Sequence, residues 1–400
     1  QEAVEVGLTG GDFPDLMTGI ERSSLGVVAI AYKPISDPTV SSESAGAGAL
    51  ATYQRYPPLI QNEALPQYRA SSNLTGRYYV VASTTDSNNP AAGTSPYSYP
   101  ITHFYRDGQV SNTGRGWLGF AVSSHTNVSI GRTTSVTYNQ TFPLIGRPQS
   151  RTVSCATAQT GFCSEGDVLS VDTFTYTSTT TEVSKENGYK ATLVRPSSTR
   201  SDKYQAGQYK HSLGQTFEHD GYGNRTQSAK LNLVDRTGND LDASDNLYLS
   251  AAYQNDAASW RLGFKQYAKT TKNPSLADIQ SFQPDQDISL TRWTYDDAMN
   301  VSARGGWDQA RQAYLETAYT YDAFGNRLTV ARPGLATTTY VIDPTFNTYI
   351  QKRSQPTGTN ATVLVSQYGY DARFGKQTLK IDANGNQFTT CYDSFGRRQL

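Results

Sequence analysis

Near the C-terminal end of the chain, apolar and polar positions alternate one by one. In 376–382, Leu379 and Ile381 are separated by polar residues, and in 387–393 Phe388, Thr390 and Tyr392 share one parity. A period of two puts alternate side chains on one face, so each stretch predicts a strand with one half-buried face. Asp371, Asp382 and Asp393 end successive strands, eleven residues apart. A carboxylate there can accept backbone N–H groups of the following turn. Gly385 and Gly396 come three residues later and Gly375 four, where the turn calls for positive φ. Strand, turn, strand in this rhythm predicts an antiparallel meander.

The unit recurs upstream. Tyr321-Asp322 with Gly325, Tyr370-Asp371 with Gly375, Asp382 with Gly385, and Tyr392-Asp393 with Gly396 are the clear copies. His219-Asp220-Gly221-Tyr222-Gly223-Asn224 is an earlier one, and Tyr295-Asp296 and Ile342-Asp343 read as degenerate copies. One such unit cannot bury its apolar face alone, so repetition predicts an extended array.

The first half is strand-rich but less regular, with strands expected at 25–32, 77–83, 98–106, 117–123, 135–142 and 173–183. Helix is scarce. Asn273 and Pro274 supply an N-cap and a first-turn proline for a short helix over 273–279, and 307–316 is the second expected helix. The fold class is therefore mainly β: a large antiparallel sheet with few short helices. Three stretches are distinguished: 1–150, β-rich; 151–310, irregular β with the helical insertions; and 311–400, the repeats. Residues 145–165 are the best boundary.

Composition sharpens this picture. Tyr (27) far outnumbers Met (2), and the hydrophobic share is only 36% of 400 residues. That is low for a chain of this length with a thick core, and fits a thin wall or long polar loops. The net charge is zero, and no basic stripe is present, which argues against nucleic acid. No window is long and apolar enough for a membrane helix. The chain begins with Gln1 and stops inside a repeat, so both ends look cut from a longer polypeptide.

Candidate chemistry is sparse. Cys155 and Cys163 flank a loop that can close as a disulfide or hold two free thiols; Cys391 is left over. The 239–246 segment concentrates carboxylates but fails the calcium-loop template, since Asp245 and Ala251 stand where Gly and Glu are needed. No Cys/His cluster suggests a metal. The histidines, His103, His125, His211 and His219, form no nucleophile motif. The repeat aspartates recur at one strand-to-turn position, which favours a structural role over catalysis. Tyr321, Tyr370 and Tyr392 either line a cavity as semi-polar surface, or pack outward or between strands. No catalytic residue and no cofactor are expected.

These motifs resemble the YD-repeat (Rhs) family, whose unit is Tyr-Asp, two variable residues, then Gly. The 342–349 and 370–386 runs resemble, more narrowly, the shell region of insecticidal toxin complex B components with an SpvB-like N-terminus. Three upstream patches agree in order. They are 15–34; Gly114-Arg115-Gly116-Trp117-Leu118-Gly119-Phe120, similar to a family signature; and Thr141-Phe142-Pro143-Leu144-Ile145-Gly146. The resemblance implies a secreted, extracellular β-shell that encapsulates a toxic polypeptide, either its own C-terminus or a C-component chain. It also implies docking to a translocation-channel A component through a propeller that this sequence lacks. Self-cleavage by aspartates and toxin activity would lie outside this segment, so the segment itself is expected not to be an enzyme. Two other readings compete. One is a cell-surface adhesion or carbohydrate-binding module, which needs exposed aromatics clustered on one ridge. The other is a hydrolase, which needs a cleft of convergent acids and bases.

Overall fold

The computed structural model describes residues 6–8, 16–21, 26–42, 71–73, 78–88, 97–111, 115–184, 189–275, 277–357 and 362–399. The chain is nearly all β, 65% strand, and the pairing is antiparallel. The one parallel contact in the described ladders joins Ser41–Ser42 to Ser98–Ser111. Contacts divide the chain into two compact units: Gln1–Phe217 with Lys230–Asp245, and Glu218–Ala229 with Asn246–Leu400.

In the first unit most strands pair with their neighbours in sequence. Gly116–Asn127 pairs with Arg132–Tyr138, which pairs with Pro148–Cys155, then Val168–Ser184, then Tyr189–Gln205. The second unit runs likewise from Leu247–Asp256 and Arg261–Thr271 to Lys376–Ile381 and Gln387–Thr389. Because each strand reverses the last, successive turns in this ladder alternate between the two ends of the strands.

The interior is as polar as it is apolar. Leu118, Val234, Ile279, Leu290 and Val330 are buried, but so are Asp172, Asp202, Ser212, Gln227, Lys269 and Asp287. Each buried carboxylate of the first unit is neutralised. Arg151, Asp172 and Ser201 stand in register on three neighbouring strands, with Arg151 Nε 2.8 Å and Ser201 Oγ 2.5 Å from the Asp172 carboxylate. Asp202 accepts from Arg200 and from Ser212 Oγ at 2.6 Å. Hydroxyl pairs bridge facing strands elsewhere, as at Ser124–Ser135, Thr126–Thr133 and Thr320–Thr329. Cross-strand pairs of this kind carry part of what apolar burial supplies in a thicker fold, which accounts for the low hydrophobic share.

The two expected helices are not formed. Residues 273–275 and 277–280 are loop and turn, and 301–321 is a hairpin, Val301–Asp308 with Ala313–Tyr321. Trp307 and Tyr314 explain the second error. Seven residues apart, they match one face of a two-turn helix, but here they oppose each other across the hairpin, ring centroids 5.2 Å apart. Gln312, at φ 51°, closes the turn. The only helical segment among the described residues is the 3-10 turn Ala243–Asp245.

Candidate functional site

The repeat aspartates build one turn many times. In the 322–326 turn, Asp322 N donates to Asn326 O and Gly325 N to Asp322 O. The Asp322 carboxylate then accepts Phe324 N and Asn326 N on Oδ1 and the Asn326 amide on Oδ2, at 2.8–2.9 Å. Gly325 sits at φ 82°. Asp220, Asp382 and Asp393 repeat this arrangement, with Arg397 Nε replacing the amide at Asp393. The degenerate Asp296 copy keeps the cap through Asn300, with Met299 at φ 66° in the glycine position. Asp343 caps a wider turn, accepting the N–H groups of Thr345, Phe346, Thr348 and Tyr349. In the Asp371 turn the carboxylate accepts from Arg373, and Gly375 is at φ 64°.

Donation to a carboxylate favours its charged form. The Asn326 amide, helped by backbone N–H groups, holds Asp322 below the usual carboxylate range; Asn386 does the same for Asp382. The Arg397 N–H leads at Asp393, and the Arg373 side chain at Asp371. Burial pushes Asp343 up, but its four N–H donors outweigh that and the net shift is downward. These carboxylates are permanent turn caps.

One further copy escaped sequence reasoning. Asp235 caps Thr237 and Asn239 in the same way, with Gly238 at φ 98°. Its Asp-x-x-Gly-Asn spacing is visible in the sequence, with Val234 where Tyr321, Tyr370 and Tyr392 precede the aspartates of three other copies. This turn opens the 239–246 segment considered for calcium. There Asp240 and Asp242 accept N–H groups of Asp242 and Ser244. Among the described residues no three His, Cys, Asp or Glu side chains group as metal ligands.

The tyrosines before the aspartates staple strands. Tyr321 Oη donates to Val301 O at 2.9 Å, and Tyr392 Oη to Gln377 O at 3.0 Å. Tyr32, Tyr176 and Tyr253 reach Met17 O, Pro148 O and Arg225 O in the same manner. In Tyr321, Tyr32, Tyr176 and Tyr253 the acceptor is the first residue of the preceding strand. Tyr370 instead stacks on Tyr349, centroids 4.9 Å apart. Tyr321, Tyr370 and Tyr392 thus each engage a neighbouring strand or ring.

Two motif patches distant in sequence meet. Gly114 lies outside the described residues. Arg115 lies over the Phe142 ring at 3.7 Å, and Gln140 Nε2 bridges Gly119 O and Asp107 O at 2.8 and 2.7 Å. Gly116 and Gly119 have φ 73° and 89° and turn the chain so that Trp117 and Phe120 pack edge to face. Cys155 and Cys163 are disulfide-bonded, and Cys391 is a free, exposed thiol. His103 and His125 face each other across two strands, centroids 6.4 Å apart.

Along one end of the strands in the second unit, the turns are joined. Asn224 Nδ2 bonds Asn255 Oδ1, Arg261 Nη1 bonds Asp297 O, Asn326 Nδ2 bonds Asn347 O, and Lys376 Nζ bonds Gly396 O. Several neighbouring turns at this end are thus tied to one another.

No family model and no curated protein match the chain. Solved structures do. The crystal structure of TcdB2-TccC3 without its hypervariable C-terminal region matches with a TM-score of 0.58 at 11% identity, over 96% of this chain and 24% of that one. TcdB2-TccC3-Cdc42 matches at 0.58 and 12%, over the same shares. The chain thus spans about a quarter of the length of these proteins, and the likeness is one of fold.

Proposed function

We propose that this chain is a wall segment of a secreted β-shell that encloses a toxic polypeptide, either its own C-terminal continuation or a separate chain. The observation that carries the reading is the match of nearly the whole chain to TcdB2-TccC3, reached by a fold of capped, stapled, repeated hairpins. The ordered toxin-complex B motifs point the same way. In this reading the segment is scaffold: the aspartates hold turns, the tyrosines hold strand ends, and chemistry belongs to other segments.

Electron cryo-microscopy of the full-length chain tests it. The expected result is a closed β-walled cavity with weak density inside. A solid β domain or an open rod rejects it.

A further inference from the structure

Eleven consecutive strands of the second unit, from Leu247–Asp256 to Gln387–Thr389, carry an aromatic residue and a cation in alternation along one face. Register and ring contacts establish the row. Tyr253 faces Lys265, and Lys265 Nζ lies over both the Tyr253 and the Trp293 rings, 5.7 and 5.8 Å from their centroids. Trp293 faces Arg304, whose guanidinium is 5.3 Å from its ring. Arg304 faces Thr317, and Tyr319, two residues on, shares that face. Arg327 lies over Tyr319 and Tyr340 at 5.7 and 5.9 Å, and Tyr340 faces Arg353. Arg353 faces Ser366, two residues from Tyr368. Tyr368 faces Lys380, and Lys380 lies over Phe388 at 5.9 Å. The members are scattered from 253 to 388, so no basic run marks them in the sequence.

These cations lack the partners that others in the fold have. Arg151, Arg200, Lys269, Arg292 and Arg373 all pair with carboxylates. Lys265, Arg304, Arg327, Arg353 and Lys380 enter no ion pair among the described residues. Acids are also kept off the face. On these strands Asp256, Asp287, Asp308 and Asp371 stand at strand ends. Glu316, the one carboxylate inside a strand, faces Gly305 on the opposite side of the sheet and is bound by Arg292. A row of positive charge without counter-charge fits an anionic partner.

Geometry narrows the partner to a class. The row crosses ten strand spacings, roughly 48 Å, which about 15 residues of extended polypeptide would span. Cations on alternate strands are about 10 Å apart or more, a separation that carboxylates on flexible side chains can meet one by one. Single-stranded nucleic acid is the poorer match. Its bases need free ring faces to stack on, and cations of the row already lie over five of the six rings. A membrane is poorer still, because a sheet twists by roughly 20° per strand and a plane would touch only part of the row.

We propose that this row is a docking track for an acidic segment of a separate polypeptide, bound in extended conformation. Its carboxylates pair with the five cations and its remaining side chains lie against the rings between them. The rings hold the cations apart and upright, so the track is set before the partner arrives. The proposal stands whether or not the chain forms a closed shell.

The test is fluorescence anisotropy of the chain with a labelled peptide of about 15 residues that carries Glu at every third position. Saturable binding is expected, weakening as salt rises, and lost when every Glu of the peptide is replaced by Gln. Arg304→Gln or Arg327→Gln should each weaken it about threefold, and the triple variant that adds Lys380→Gln should abolish it. All three side chains are exposed, so the melting temperature of the variants should stay near that of the wild type. Lys230→Gln, an exposed lysine of the first unit, should leave binding unchanged. Acetylation of Lys265 and Lys380 by acetic anhydride, slowed by the Glu peptide and not by the Gln peptide, reads the same surface without any variant. No binding of the Glu peptide, equal binding of the Gln peptide, or equal binding by the folded triple variant overturns the proposal. So does tighter binding of oligothymidine of matching length, or of phosphatidylserine vesicles.

Discussion

Lys269 Nζ lies 2.7 Å from Asp287 Oδ2, and both side chains are almost wholly out of solvent. The pair does more than neutralise itself. Lys269 also donates to Asp278 O at 2.9 Å, and Asp287 accepts Gln283 N at 2.7 Å, so the two charges fasten the 272–286 loop to the strands that bear them. Burial pushes the Asp287 carboxyl up, but the Lys269 hydrogen bond and its other donors hold it below the usual range. Removing one partner of such a pair strands the other charge, whereas replacing both with apolar residues is close to neutral. Lys269→Met should therefore cost about 3–5 kcal/mol, and Lys269→Met with Asp287→Leu should recover most of it. Urea unfolding of the two variants decides: equal losses in both would show that the ion pair is not the anchor.

The glycine position of the repeat turn is a conformational requirement, and Met299 provides the internal control. A methyl group on Gly325 would meet only Asn300 Oδ1, at 3.7 Å, so space is not the constraint; φ 82° is. Gly325→Ala should destabilise by about 1–2 kcal/mol, the cost of a side chain in the left-handed region. Met299→Gly should act in the opposite direction and by less, because glycine also loosens the unfolded chain. Thermal melts that moved the same way for both substitutions would refute the argument.

Each tyrosine staple is one hydrogen bond, and its worth is measurable. Tyr321→Phe keeps the ring and deletes the bond to Val301 O. The expected loss is about 1 kcal/mol, with faster amide hydrogen exchange at the start of the Val301–Asp308 strand and unchanged exchange in the 322–326 turn. Uniform exchange across the unit would mean that the hydroxyl does not hold the strand end.

How much of this was legible in sequence follows from range. The Asp382 and Asp393 turns were legible because cap, glycine and strand parity all act within a few residues. The Asp235 turn obeys the same physics and carries the same Asp-x-x-Gly-Asn spacing in the sequence. The partners of the tyrosine hydroxyls, such as Val301 for Tyr321, depend on strand register and leave no local mark. At 307–316 the cross-strand pair of Trp307 and Tyr314, which depends on strand pairing and not on local sequence, fixes a hairpin in place of the expected helix. At 273–279 the Asn-Pro signal was real as a local turn. There Ser275 N bonds Asn273 Oδ1, but buried Ile279 and the Lys269 bond to Asp278 O pin the segment as a loop.

The His103–His125 pair should make the first unit sensitive to mild acid. Burial lowers the pKa of His103 below its ordinary value, and the facing His125 lowers it further. A depressed folded-state pKa means that the unfolded chain binds the proton more readily. The contribution to stability is thus present above the unfolded pKa of about 6.5 and is lost as pH falls below it. Melting temperature should fall between pH 7.5 and 5.5, and the slope should flatten in His103→Gln, which keeps a polar group near Thr84 Oγ1 but cannot titrate. The Asp322, Asp343, Asp371, Asp382 and Asp393 caps, held below their usual range, stay ionised throughout this window and do not contribute to the slope. A His103→Gln variant with the wild-type pH dependence would assign the acid sensitivity elsewhere.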